Sequence, residues 1–319
     1  MFIGLDHIII GVPDLVEATH IFSERLGFAV SEGGIHPTGG TANRIIVIGD
    51  TYLELLAVDR PDEAQPGLLK RMAKGQGYLN CVLGSDDIEA ESAALRQRCV
   101  NIIGPIAGQL QSVDGRSRAW SRVDIERPDM AQHYPFIIQH DSTGEERRKR
   151  LAGWVTPLEH PLGVTKVLSA TIAVENLGEA ARRFQHIYGL QPSDEYGGEV
   201  DGWDAMLVAF LLRERMQSLE LAVPLPTMLD PVAGSPMLPQ PGGLSWHLQQ
   251  FGESLCRMTL AVENLVASRQ YLDEHGVTYV SYEESEHPRL WILPDQACGA
   301  AIVLHEFASD LPQSFPLHL

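Results

Sequence analysis

Residues 5–18, LDHIIIGVPDLVEA, join an apolar run to the start of an amphipathic helix. Related stretches return at 167–180, VLSATIAVENLGEA, and at 254–268, SLCRMTLAVENLVAS, and a weaker copy lies at 77–101. Each apolar run is typical of a buried strand, and each following segment repeats apolar residues at helical spacing. Because one pattern recurs along the chain, we predict four copies of a single structural unit.

The predicted helices have matching ends. Each begins after a residue whose side-chain oxygen can accept a hydrogen bond from the first turn. Three of them end at a glycine, which adopts the left-handed backbone conformation without strain. The predicted N-caps are Asp14, Asp86 or Asp87, Asn176 and Asn264, and the predicted terminating glycines are Gly27, Gly189 and Gly276.

Short alternating runs follow each helix and predict three more strands per unit. In the first unit these are FAVSEGG, ANRIIVIGD and TYLELLAV. The sequence therefore predicts an α+β fold of four βαβββ modules, paired into two cupped, half-barrel mixed sheets flanked by helices. A charged, Pro-bearing stretch suggests domains at 1–145 and 164–310 with a linker at 146–163. The Pro- and Gly-rich segment 224–243 is either a lid over a cavity or a surface excursion without a role.

Composition narrows the classes of partner. The 24 Lys and Arg against 42 Asp and Glu give a formal charge of −18, which disfavours nucleic acid and anionic membranes. No apolar run reaches the roughly 18 residues that span a bilayer, and the start lacks a basic, apolar leader, so we expect a cytoplasmic protein. The four cysteines are scattered and predict neither a disulfide framework nor a thiolate zinc site.

The motifs LDHIIIGVPDL and TYLELLAV, with a helix ending in LGF, resemble the vicinal oxygen chelate superfamily. This superfamily includes glyoxalases, extradiol dioxygenases, epimerases and bleomycin-type antibiotic-resistance proteins. The segment GGIHPTGGTANRIIVIGDTYLELLAV is similar to its glyoxalase-like members. The resemblance covers nearly the whole chain and implies the fold more strongly than any one reaction.

The resemblance also implies a divalent metal held by the first and last strands of paired modules. In the N-terminal pair the matching positions are His7, Glu54, Asn80 and Gln139, of which His7, Glu54 and Gln139 are the expected ligands. An imidazole with oxygen donors suits Zn, Ni, Mn, Co or Fe. The alternative is that His7 and Glu54 hydrogen-bond each other in a polar cavity.

The C-terminal pair predicts a different arrangement. Its matching positions are Ser169, Glu220, Arg257 and Glu306. An arginine between two carboxylates predicts a buried ion-pair cluster, because the guanidinium charge opposes a metal and can bridge both acids. The two-histidine, one-glutamate iron site of the extradiol dioxygenases is therefore not expected here.

Other residues are candidates for the N-terminal cavity. His36, in the turn-rich GGIHPTGG, and Glu54 are the candidate catalytic bases. Asn43, Arg44 and Asn80 are candidate substrate-binding residues, and strand alternation lets only one of Asn43 and Arg44 face inward. His140 and His160 flank the linker and are expected to be exposed unless they close over the cavity.

Two functions remain open at this point. One is a glyoxalase-like lyase or isomerase acting on a small carbonyl or hydroxy-carbonyl compound, in which a metal polarises the carbonyl. The other is a metal-free protein that binds or sequesters a small molecule. In both cases the expected partner is a small-molecule ligand, and a homodimer stays open.

Overall fold

The computed structural model describes residues 2–111, 117–126, 134–193, 196–200, 203–225, 243–282 and 288–307. The segment 226–242, which makes up most of the proposed lid, lies outside these ranges. Within them the chain forms two eight-stranded sheets and seven α-helices. No helix in the described ranges is long and apolar enough to cross a membrane.

The N-terminal sheet holds the strands of the first two modules. They are β1 (Phe2–Gly11), β2 (Ser31–Ile35), β3 (Thr41–Ile48), β4 (Thr51–Val58), β5 (Gly77–Ser85), β6 (Ile102–Gln111), β7 (Ser117–Ile125) and β8 (Phe136–His140). Their spatial order is β2-β3-β4-β1-β5-β8-β7-β6, with β1 parallel to β4 and antiparallel to β5. The edge strands β2 and β6 contact each other, so this sheet curls into a cup.

The C-terminal sheet repeats this topology. Its strands are β9 (Val164–Ala173), β10 (Tyr196–Val200), β11 (Trp203–Leu212), β12 (Gln217–Pro224), β13 (Ser254–Val262), β14 (Tyr279–Tyr282), β15 (Arg289–Ile292) and β16 (Ala301–Glu306). Their order is β10-β11-β12-β9-β13-β16-β15-β14. The predicted α+β fold with two mixed sheets is confirmed.

Four of the seven α-helices in the described ranges begin where their local sequence predicts. They are α1 (Leu15–His20), α2 (Pro66–Met72), α3 (Ile88–Gln97), α4 (Gly144–Leu151), α5 (Leu177–Tyr188), α6 (Leu244–Phe251) and α7 (Leu265–Glu274), and α1 continues into a π-helical turn, Ile21–Arg25. The side chains of Asp14, Asp87, Asn176 and Asn264 accept hydrogen bonds from the first turns of α1, α3, α5 and α7. The three predicted glycines all have positive φ angles.

The two halves share one apolar core. Ile8 and Leu53 from the first sheet and Val167 and Leu219 from the second belong to a single cluster of buried side chains. The predicted linker region contributes α4, whose Leu151 packs against the N-terminal sheet. The domain boundaries themselves stay a prediction.

Candidate functional site

A β-bulge in β1 shapes the centre of the N-terminal cup. Leu5 pairs with Leu83 on β5 and His7 pairs with Val82, so Asp6 is an extra residue between them. Adjacent side chains of a regular strand point to opposite faces, and a bulge re-aims them. Here the Asp6 and His7 side chains meet, with Nδ1 of His7 2.8 Å from Oδ1 of Asp6.

Asp6 is the hub of a buried polar network. His140 Nε2 lies 3.1 Å from Asp6 Oδ1, and Arg147 Nη2 donates to Oδ2 over 2.6 Å. Burial alone would raise the pKa of Asp6, but Arg147, His140 and His7 outweigh it and hold the pKa well below its usual range. An ionised carboxylate only accepts hydrogen bonds, so the hydrogens lie on Nδ1 of His7 and Nε2 of His140.

Glu54 lies in β4 beside this network and is buried. Asn43 Nδ2 donates to Glu54 Oε1 over 2.6 Å. His36 Nε2 lies 3.6 Å from Oε1, and His7 Nε2 lies 3.8 Å from Oε2. Burial raises the pKa of Glu54, whereas His36, His7, Asn43 and Arg118 lower it, with a net result below the usual value. Glu54 is therefore an ionised carboxylate facing two imidazoles.

The GGIHPTGG loop presents His36 to Glu54. Its ring Nδ1 lies 2.9 Å from Thr41 Oγ1, and Asn43 Oδ1 accepts from Gly34 N over 3.0 Å. A Cβ on Gly33 would lie 2.1 Å from the Asn43 carbonyl oxygen, so this close approach requires glycine. Burial lowers the pKa of His36, although Glu54 opposes the shift.

Sequence reasoning missed a buried arginine and an aromatic wall in the cup. Arg118 on β7 is 7% exposed, and burial lowers its pKa although Tyr52 and Glu54 oppose this. Tyr52 stacks on His7 with ring centroids 4.5 Å apart, and Phe136 meets His7 edge-on at 5.8 Å. The missed signal was alternation along β7, which directs Arg118 and Trp120 to one face.

The side chains of the two flanking histidines are both buried. The sequence predicts that His140 is exposed or closes over the cavity, and the structure favours the second alternative, because His140 contacts Asp6. His160 accepts from Ala29 N at Nδ1 and lies 2.8 Å from Val47 O at Nε2, which fixes the loop before β9 to β3. His140 therefore belongs to the cup, whereas His160 stabilises the fold by bonding to two backbone groups.

The structure does not bring Gln139 to His7 and Glu54. Its Oε1 accepts from Ile88 N over 2.9 Å, and its Nε2 donates to Asp86 O over 2.7 Å. The side chain thus holds the start of α3 on the outer face of the sheet, and its neighbour His140 faces the cup instead.

Asn80 and Arg44 also lie outside the cluster. Asn80 Nδ2 donates to Tyr134 O over 3.2 Å, and its Oδ1 accepts from the next backbone amide. Arg44 Nη1 donates to Glu32 O over 2.6 Å. Of the three candidate substrate-binding residues, only Asn43 lies beside Glu54.

The residues present do not fit the implied divalent metal. His7 on β1 pairs with Val82 on β5, the matching strand of the second module. His7 also pairs with Tyr52 on β4, and Val82 pairs with Phe136 on β8, so Tyr52 and Phe136 occupy equivalent positions in the two modules. The module equivalents of His7 and Glu54 are therefore Val82 and Ile138, which provide no donor atom. Among the described residues, no group of three or more His, Cys, Asp or Glu could hold a metal ion.

The C-terminal sheet does not form the predicted cluster of two carboxylates around an arginine. Glu220 accepts from Thr171 Oγ1 over 2.6 Å and lies 3.7 Å from Arg257 Nη2. Glu306 is exposed, and its Oε2 accepts from Leu265 N over 2.8 Å at the start of α7. The same strand position, occupied by Gln139 and Glu306, thus holds a helix terminus in both halves.

An open cavity of about 500 Å³ lies next to the network. His140 and Trp120 are among its lining residues. The Trp120 indole lies across Gly108, where a Cβ would come within 2.4 Å of the indole nitrogen. Because His140 also contacts Asp6, its side chain links the wall of the cavity to the buried acid.

Comparisons with known proteins agree with this architecture. A hypothetical protein from Staphylococcus aureus aligns with 15% identity and a TM-score of 0.63, covering 95% of this chain and 99% of that one. A triple variant of 4-hydroxymandelate synthase from Streptomyces coelicolor aligns with 13% identity and a TM-score of 0.62, covering 97% and 94%. At these identities the likeness shows the fold alone.

Sequence comparison identifies the family. No curated protein matches the chain significantly. The model of the glyoxalase-like domain family matches residues 5–188, which is more than half of the chain. The match includes the stretch LDHIIIGVPDL, the loop GGIHPTGG and Glu54. The chain belongs to the glyoxalase-like domain family of the vicinal oxygen chelate superfamily.

Proposed function

We propose that this protein is a lyase or isomerase that removes a proton from the carbon next to a carbonyl group of a small molecule, with Glu54 as the base. The observation that carries the proposal is the buried, ionised carboxylate of Glu54 between His36 and His7. An ionised carboxylate is a suitable acceptor for a carbon-bound proton of a substrate that reaches it.

Arg118 supports the same chemistry. Proton removal leaves an electron pair that moves to the carbonyl oxygen and forms an enolate. A buried guanidinium within electrostatic range of Glu54 would stabilise that developing negative charge more strongly than water does. In an isomerase the enolate takes a proton on the opposite face of the same carbon or, when a hydroxy-carbonyl compound gives an enediolate, at the former carbonyl carbon. In a lyase it expels a leaving group from the carbon next to the deprotonated one as the carbonyl re-forms.

A histidine beside Glu54 can hold the proton that Glu54 removes. Burial keeps His36 neutral near pH 7, so its imidazole can take the proton from Glu54 and return it. Superfamily members typically use divalent metals. A metal is not part of this proposal, because Val82 and Ile138 replace two donors and Arg118 already supplies positive charge.

The proposal is tested by hydrogen exchange. The purified protein is incubated in D₂O with a panel of small 2-oxo and 2-hydroxycarbonyl compounds, and NMR follows deuterium incorporation at the carbon next to the carbonyl. We expect incorporation with at least one compound and a loss of about a hundredfold or more in Glu54→Gln. Glu32→Gln, an exposed residue on β2, is the matched control.

Metal analysis of the same sample separates the mechanisms. We expect exchange to persist after chelator treatment in protein with less than about one tenth of an equivalent of Zn, Ni, Mn, Co or Fe. Exchange that requires one of these metals would overturn the metal-free mechanism. Binding of the compounds without exchange would identify a protein that sequesters its ligand.

A further inference from the structure

The C-terminal half holds the backbone next to the bulge in β1. Leu5 N donates to Gln217 Oε1 over 2.8 Å. Leu5 O accepts from Arg215 Nη1 over 2.8 Å and from Thr51 Oγ1 over 2.9 Å. Both backbone groups of Leu5 are thus bonded to side chains, and two of these three bonds come from the C-terminal half.

The amide of Gln217 is fully committed to this contact. Gln217 is 3% exposed, and its Nε2 donates to Thr51 Oγ1 and to Val167 O, each over 2.9 Å. A flipped amide would direct its NH₂ group at the Leu5 N–H and lose its bonds to Leu5 N and Val167 O. The network therefore fixes both the side chain and the strand that it holds.

The packing of β1 against the C-terminal half is tight at the same point. Gly4 has φ +149°, and a Cβ built there would lie 2.5 Å from both Arg215 Cδ and Gln217 Oε1. The strand β1 therefore lies directly against these two side chains just before Asp6. A shift of Leu5 by a few tenths of an ångström would require the C-terminal half to move with it.

We propose that Gln217 and Arg215 are positioning residues that set the bulge and thereby aim the Asp6 and His7 side chains. Asp6 directly follows Leu5, so the direction of the Leu5 peptide determines where the Asp6 carboxylate lies. That carboxylate holds the hydrogen on Nδ1 of His7 and leaves Nε2 directed at Glu54. The C-terminal half would then act on the site without contributing a side chain to it.

The test uses the His7 imidazole as the reporter. Long-range ¹H–¹⁵N spectra at pH 8 assign the tautomer of His7, with His7→Gln identifying its signals. We expect the wild type to carry the hydrogen on Nδ1. In Gln217→Met, which keeps the side-chain length but no hydrogen bonds, we expect the two nitrogen shifts to move toward a tautomer average.

Two further variants make the test decisive. Val303→Ala, in the core of the C-terminal sheet, lowers stability without touching β1, and we expect its His7 signals to match the wild type. Gln217→Glu keeps an acceptor for Leu5 N but loses both donors, and we expect a smaller change. It also replaces the Met variant if that variant does not fold.

Wild-type His7 signals in a folded Gln217 variant would overturn the inference. The inference concerns the site of the proposed function, but this readout needs no turnover. A protein that fails to exchange deuterium can therefore still show the tautomer change. If exchange occurs, we expect its rate in Gln217→Met to fall about tenfold while Val303→Ala keeps the wild-type rate.

Discussion

Replacing Arg147 with Met removes the cation bonded to Asp6 Oδ2 over 2.6 Å. The side chains of this pair are 6% and 3% exposed, so water cannot replace the lost partner. Removing one member of a buried ion pair costs about 3–5 kcal/mol. We expect about 3 kcal/mol, because His7 and His140 still donate to Asp6 Oδ1.

Urea denaturation, followed by tryptophan fluorescence and circular dichroism, measures this loss. Asp6→Asn keeps the shape of the acid but removes its charge, and the double variant completes a thermodynamic cycle. We expect a coupling energy above about 1.5 kcal/mol, because the double variant leaves no unpaired charge. Lys149→Met, on the same helix α4, breaks an exposed pair with Glu145 and should leave the unfolding free energy unchanged within error.

The dependence of the unfolding free energy on pH at low pH gives an independent check. The folded-state pKa of Asp6 is lowered, so its stabilisation is complete above the unfolded-state pKa of about 3.9 and is lost as the pH falls toward the folded value. The loss between pH 4 and lower values should be shallower in Asp6→Asn. An Arg147→Met variant within about 0.5 kcal/mol of the wild type, or additive single changes, would refute the ion-pair argument.

Three further predictions concern other parts of the chain. Gln139→Leu should lower the unfolding free energy by about 1–2 kcal/mol, because it removes the bonds at the start of α3, and should leave deuterium exchange at the wild-type rate. Burial lowers the pKa of His247 to about 3, so the wild type should lose stability as the pH falls from about 6.5 toward 3, and urea titrations of His247→Asn should show a smaller loss. Gly4→Ala should give little folded protein, whereas Gly39→Ala, which also has positive φ but meets no atom within 4 Å, should fold with only a modest drop in melting temperature.

Most of the fold was predictable because its signals are local. The caps at Asp14, Asn176 and Asn264 each bond to backbone groups within three residues, so they can be predicted from the local sequence. The family resemblance pairs His7 with Glu54, and the first and last strands of this module lie side by side in the structure. Their location in one cup follows from that topology.

The register of the paired strands was harder to predict. A slip of one residue moves a strand's side chains to the opposite face. The sequence predicts Gln139 in the cup, whereas its neighbour His140 lies there, and Val82 rather than Asn80 lies opposite His7. Nothing in the composition of these apolar runs distinguishes the two alternatives, because both faces of the sheet are covered.

The sequence by itself determined the four modules, their caps, and the presence of His7, His36, Asn43 and Glu54 in one half. Only the tertiary structure decided that Asp6 joins His7, because a bulge breaks the strand alternation on which sequence reasoning depends. It also brought Arg118 within electrostatic range of Glu54 from a strand more than sixty residues away. Such contacts depend on the curl of a whole sheet, which no short stretch of sequence encodes.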